Sequence, residues 1–174
     1  VDARFDLTNL FDDLLPRRVD GPCDATLVER WDGTGWSVVP SPNVPKQHNS
    51  LTAVTAVPGS PNELWAVGRA GPTEPFILHW NGTQWSIVPG PSAGSVPLLY
   101  GIVAISTNDV WAVGWTGGKS GPVTLTLHWD GSTWSVMPSP NPGSTFNYLW
   151  GVGAVASNAK TVPTNDVMPT ATSM

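Results

Sequence analysis

The chain has 174 residues, enough for one domain with a buried core, and charged residues make up only 12% of it. Its net charge is −5, and its eight Lys and Arg form no basic stripe, which argues against a nucleic-acid interface. No apolar run reaches the roughly 18 residues of a spanning helix, which argues against a membrane span.

Gly and Pro number 18 each and Trp 10, which suits many short strands joined by turns. The chain starts at Val1 without Met or a signal peptide, which reads as a processed form or a fragment. The first segment, residues 1–24, stands apart from the rest of the chain. Leu7, Leu10, Phe11, Leu14 and Leu15 fall at helical intervals on one stripe, with Asp6 placed to cap the start and Pro16 to end it. This predicts a short N-terminal helix. Too short to be stable alone, it would cover an open sheet face of its own chain or dock on a neighbouring subunit. Cys23 has no second cysteine to pair with and reads as an unremarkable thiol.

From residue 25 a repeat governs the sequence. Trp31, Trp80 and Trp129 recur at intervals of 49 residues, as do Trp36, Trp85 and Trp134, and Pro40, Pro89 and Pro138. A period of about 40–50 residues is the signature of a propeller blade. Four strands can be aligned in each unit. The first covers 51–57, 99–105 and 149–155; the second, 63–68 and 109–114. The third covers 27–31, 76–80 and 125–129; the fourth, 36–40, 85–89 and 134–138. Small residues such as Ala53, Gly101, Ala104, Gly151 and Gly153 place the first strand where backbones approach closely. Asp32-Gly33, Asn81-Gly82 and Asp130-Gly131 join strands three and four, a strong hairpin signal. Asn81-Gly82-Thr83 also matches a glycosylation sequon, but its place in a repeated turn gives it a turn role. The Pro-rich segments after strand four read as extended loops leading to the next unit.

The predicted fold is therefore all-β: four-stranded antiparallel blades of the β-propeller type, two complete and two partial, over residues 25–157. Residues 158–174 form a tail holding a divergent strand, for which Thr164-Asn165-Asp166-Val167 is an echo of Thr107-Asn108-Asp109-Val110. Pairing the tail with residues 25–40 gives about three blades, fewer than the four to eight of closed propellers.

The unit Asn108-Asp-Val-Trp-Ala-Val-Gly114, Leu127-His-Trp-Asp-Gly-Ser-Thr-Trp-Ser135, Pro138-Ser-Pro-Asn141 resembles the Trp-rich tandem repeats of bacterial surface β-propeller proteins. The resemblance covers about residues 25–157 and implies a fold and an extracellular or cell-surface location rather than a chemistry. More distantly, the Asp130 hairpin is similar to the Asp-box of sialidase-like propellers, departing from it because Gly follows Asp at once. Repeat length and Trp content are similar to tachylectin-type lectins, which implies glycan binding as an alternative.

The inventory of reactive groups gives no enzyme. Glycosidases need a close carboxylate pair, and seven of the 13 acidic residues precede Asp32. No Gly-x-Ser-x-Gly occurs. His79 and His128 precede Trp at equivalent positions, with Glu63, Glu74, Asp109 and Asp130 as candidate partners, and read as hydrogen-bonded structural residues. No catalytic residue, cofactor or metal ligand is expected. Arg69 and Trp115 occupy equivalent places after strand two, read as loops, and with Phe146 and Tyr148 are the candidate contact residues for a ligand or partner. Tyr100 and Trp150 add aromatic surface.

Three functions are carried forward. The first is a structural assembly protein of the bacterial surface, its incomplete blades completed by neighbouring subunits in a ring or filament. The second is a glycan-binding adhesion module. The third is a part of a longer propeller.

Overall fold

The computed structural model describes residues 4–7, 24–143, 146–155 and 170–172. They form thirteen strands and no helix: β1 (Arg4–Leu7), β2 (Val28–Trp31), β3 (Trp36–Val38), β4 (Asn49–Val57), β5 (Ser60–Ala70), β6 (Glu74–Trp80), β7 (Trp85–Ile87), β8 (Ser95–Ser106), β9 (Asp109–Gly118), β10 (Gly121–Trp129), β11 (Trp134–Met137), β12 (Gly151–Gly153) and β13 (Thr170–Thr172). Two four-stranded sheets run β4-β5-β6-β7 and β8-β9-β10-β11, each antiparallel between neighbours. A three-stranded sheet, β1-β2-β3, precedes them, and a two-stranded sheet, β12-β13, comes after.

The N-terminal expectation is corrected where it can be compared. Asp6 and Leu7 lie in β1, which pairs antiparallel with β2 (Leu7 opposite Val28), so neither opens a helix. β2 has an edge that needs backbone partners, and an extended segment satisfies it with a ladder of hydrogen bonds. Leu10, Phe11, Leu14 and Leu15 lie outside the described residues, as does Cys23. The Thr164–Val167 echo also lies outside them, and the tail strand that pairs with β12 is Thr170–Thr172, with Val152 opposite Ala171.

The core lies between sheets, not within one. Trp65, Val67 and Ile77 of the first full sheet pack with Leu99, Ile102, Ala112, Leu125 and Trp134 of the second. A second cluster joins Val28 to Leu51, Ala66, Phe76, Leu78, Trp80 and Trp85. Strands with both faces covered read as continuous apolar runs, as in Phe76-Ile77-Leu78, all at 2% exposure or less. Thr52 Oγ1 donates to Leu99 O at 2.5 Å and fastens the two first strands across the sheet boundary.

Close backbone approach fixes one glycine of each full sheet. A Cβ on Gly68 would collide with Ser50 O, and one on Gly114 with Leu98 O. Both stand beside a register shift, Leu51/Ala53 in one sheet and Leu99/Gly101 in the other, where a bulge presses strand one onto strand two.

Candidate functional site

The third and fourth strands meet in a four-residue loop, longer than a two-residue turn. Asp32 N–H donates to Gly35 O at 3.2 Å, and the same bond recurs from Asn81 to Gln84 and from Asp130 to Thr133, at 3.3 Å each. One side-chain oxygen organises the loop. Asp130 Oδ1 accepts from Ser132 N (2.8 Å), Ser132 Oγ (2.7 Å) and Thr133 N (2.8 Å). Asp32 and Asn81 accept from their own loops in the same way. The side-chain bond from Thr34, followed by the backbone bonds from Thr34 and Gly35, holds the Asp32 carboxyl down to about 2. The Thr133 backbone and the Ser132 side chain do the same for Asp130, also to about 2. Asn81 is thus committed to turn geometry, consistent with its reading from the sequence.

Each loop brings two indoles together across the hairpin. The ring centroids of Trp31 and Trp36, and of Trp80 and Trp85, lie 5.6 Å apart, and those of Trp129 and Trp134 5.9 Å apart. Such pairs add about 0.5–1.5 kcal/mol beyond area burial. Across the boundary between the full sheets, Trp65 is covered by Trp129 at 5.1 Å and by Trp134 at 5.4 Å, edge on.

The two histidines have local carboxylate partners. His79 Nε2 lies 3.1 Å from Glu63 Oε1, and its ring packs on Trp65 at 4.4 Å. His128 Nε2 lies 2.9 Å from Asp109 Oδ1, and its ring stacks on Trp111 at 4.3 Å. Asp109 Oδ1 also accepts from Trp111 Nε1 at 2.7 Å. Each histidine therefore belongs to a tryptophan–histidine–carboxylate unit spanning strands two and three. Among the described residues no group of three or more His, Cys, Asp or Glu could hold a metal ion.

The candidate contact residues divide into two places. Trp115 lies on β9 opposite Thr124 and Leu98, and Arg69 on β5 opposite Pro75 and Ser50, so both occupy strands, not loops. The second strands run longer than the sequence suggested because β6 and β10 extend alongside them. Trp115 meets Tyr148 edge on at 5.6 Å, and Phe146 lies parallel to Tyr148 at 6.3 Å. Tyr148 continues to Trp150 at 6.0 Å, and Trp150 to Tyr100 at 4.3 Å. Five aromatics thus form a ladder over the β8 side of the second full sheet, with Phe146 at 64% and Trp150 at 47% exposure. Arg69, on the other full sheet, takes no part in these ring contacts.

Asn49 is buried, and the sequence does mark it, because Asn147 recurs two periods of 49 residues further on. Asn49 accepts from Val44 N at 2.8 Å and donates to Gln47 O at 2.7 Å, closing the loop before β4. A shallow cleft of about 140 Å³ lies beside Gly71, Pro72, Pro75 and Gly90, and Glu74 is its one ionisable group. No protein-family model, curated protein or solved structure matches the chain.

Proposed function

We propose that this is a non-enzymatic assembly protein of the bacterial cell surface, built from propeller-type blades whose open sheets are covered by neighbouring copies. One observation carries the reading. Trp36 is 50% exposed, whereas its counterparts Trp85 and Trp134 are each 5% exposed. The same residue in the same hairpin is buried wherever a sheet lies in front of it. Val38 beside it is 65% exposed. Bare strands and indoles of this kind invite association. Among the described residues the sheets of three and two strands also fall short of the four positions that the middle sheets fill, and strand addition from a neighbour would satisfy them. Light scattering followed by electron microscopy of the same sample tests this. A defined oligomer or a filament supports it, and a stable monomer at micromolar concentration overturns it.

The second reading, a glycan-binding module, has the aromatic ladder in its favour. Sugar faces stack on exposed rings, and Phe146, Tyr148 and Trp150 alternate along one extended segment as a row of such faces. A glycan array probed with the wild type, Trp150→Ala and Trp115→Ala tests it: binding lost in the variants supports it, and no binding at millimolar glycan removes it.

A further inference from the structure

The chain carries both halves of one interface, one on its three-stranded first sheet and one on its second full sheet. Between the full sheets, the indole pair Trp129/Trp134 covers Trp65, which itself lies on His79 with Glu63 as its partner. Both halves recur, the covering pair first as the buried Trp80/Trp85 on the hairpin of β6 and β7. The covering half recurs again as Trp31/Trp36 on the hairpin of β2 and β3, with the rings 5.6 Å apart and Trp36 half exposed. The covered half recurs as Trp111 on His128 with Asp109 as its partner, and here the indole is only partly buried, against 2% exposure for Trp65.

We infer that Trp31 and Trp36 of one copy of this chain seat on Trp111 and His128 of a second copy, repeating the internal contact of Trp129 and Trp134 with Trp65. The inference rests on the assembly reading and specifies its contact.

The strand positions agree with it. β12 lies against β8 and β9 in the first position of a new sheet: a Cβ on Gly101 would lie 3.0 Å from the Cα of Gly151. β13 takes the second position. The third and fourth positions, which bear the indole pair in every repeat, are those that β2 and β3 fill in the first sheet. A sheet composed of β12 from one copy and β2-β3 from the next places Trp31 and Trp36 over Trp111, as β10-β11 places Trp129 and Trp134 over Trp65. β1 and β13 both stand in the second position, so one of these short strands gives way on joining. The contact is head to tail, because the two surfaces are different. It therefore closes as a ring or continues as a fibre.

The occupant is set by the chemistry of the internal cover: two tilted indoles on a β-hairpin. Trp36 supplies that on the surface of the same molecule. Seating it would bury a large aromatic of the kind that dominates binding energy.

The test is sedimentation of the full chain carrying Trp36→Glu, alone and mixed with fluorescently labelled wild type. Trp36 is half exposed, so the variant retains its fold, checked by near-ultraviolet circular dichroism; Trp36→Ser is run beside it. A glutamate here removes the indole and brings a negative charge toward Asp109. The expected result is self-association weakened by about thirtyfold or more, while the variant still captures one wild-type copy through its intact Trp111 face. Wild-type association unchanged by both substitutions overturns the pairing and leaves the assembly reading standing. A variant that neither self-associates nor binds wild type points to a symmetric Trp36-to-Trp36 contact and also overturns it. A wild type that stays monomeric overturns both.

Discussion

Gly90 lies against the ring of Pro75, where the neighbouring repeats set a serine against a threonine. In the first repeat Thr26 Oγ1 and Ser41 Oγ are 2.7 Å apart, and Thr26 N donates to Asn43 Oδ1 at 2.8 Å. In the third, Thr124 Oγ1 and Ser139 Oγ are 2.6 Å apart, and Thr124 N donates to Asn141 Oδ1 at 2.7 Å. The middle repeat replaces all three partners together. Pro75 has neither the N–H nor the hydroxyl to donate, Ser92 stands for the asparagine, and a Cβ on Gly90 would come 2.5 Å from Pro75 Cγ. The Pro-Ser-Pro-Asn loops are thus clamps that hold the chain beside strand three after strand four has ended.

This covariation gives a double-mutant prediction. Gly90→Ser alone collides with Pro75 and destabilises by about 1–3 kcal/mol. Pro75→Thr alone leaves the new polar groups unpaired and costs about 1 kcal/mol. The triple variant Pro75→Thr, Gly90→Ser, Ser92→Asn rebuilds the clamp and is more stable than the sum of its parts by at least about 1 kcal/mol. Urea denaturation measures each term, and strict additivity would show that the three positions are independent.

Gly114→Ala is expected to destabilise by more than about 2 kcal/mol, because the new methyl falls on the Leu98 carbonyl beside a bulge that neither strand can relax. Gly35→Ala is the control. Nothing lies within 4 Å of its Cβ position, so its effect stays within about 0.5 kcal/mol. Equal thermal shifts for the two variants would refute the close-packing account.

The hairpin carboxylates set a pH dependence. Hydrogen bonds hold Asp32 and Asp130 at about 2, below their ordinary value of 3.8. A depressed folded-state value means that the stabilisation is present above about pH 4 and is lost as pH falls toward 2. Carbon-detected NMR titration should place the Asp130 midpoint near 2. Asp130→Asn, which copies the neutral turn of Asn81, should flatten the acid limb of stability. A midpoint near 4 would mean that the turn bonds do not favour the charged form.

Trp65 Nε1 is buried with no hydrogen-bond partner among the described residues, whereas its counterpart Trp111 Nε1 donates to Asp109. Glu63 stands where Asp109 does but spends its oxygen on His79. Glu63→Asp shortens the side chain to the length that serves both donors in the next sheet. It should raise unfolding free energy by about 1 kcal/mol, the typical net worth of one such bond. A loss of stability would show that the shorter carboxylate reaches neither group.

The sequence by itself determined the period, the strand content and the hairpins. These depend on local chemistry: alternation along a strand, positive φ at Gly33, Gly82 and Gly131, and the absence of an amide hydrogen at proline. It also placed Phe146, Tyr148 and Trp115 among the contact candidates, and the fold does gather those three. It could not show that Arg69 stands elsewhere, because two positions equivalent in the repeat lie on different sheets. Nor could it show that Asp6 and Leu7 extend the first sheet. A leucine stripe fits a helix, but only the fold reveals an unpaired edge on β2 whose backbone groups need partners. The face that each tryptophan turns to its neighbours was likewise a tertiary outcome. Trp36, Trp85 and Trp134 are interchangeable in sequence, and only the stacking of sheets leaves the first bare and buries the other two.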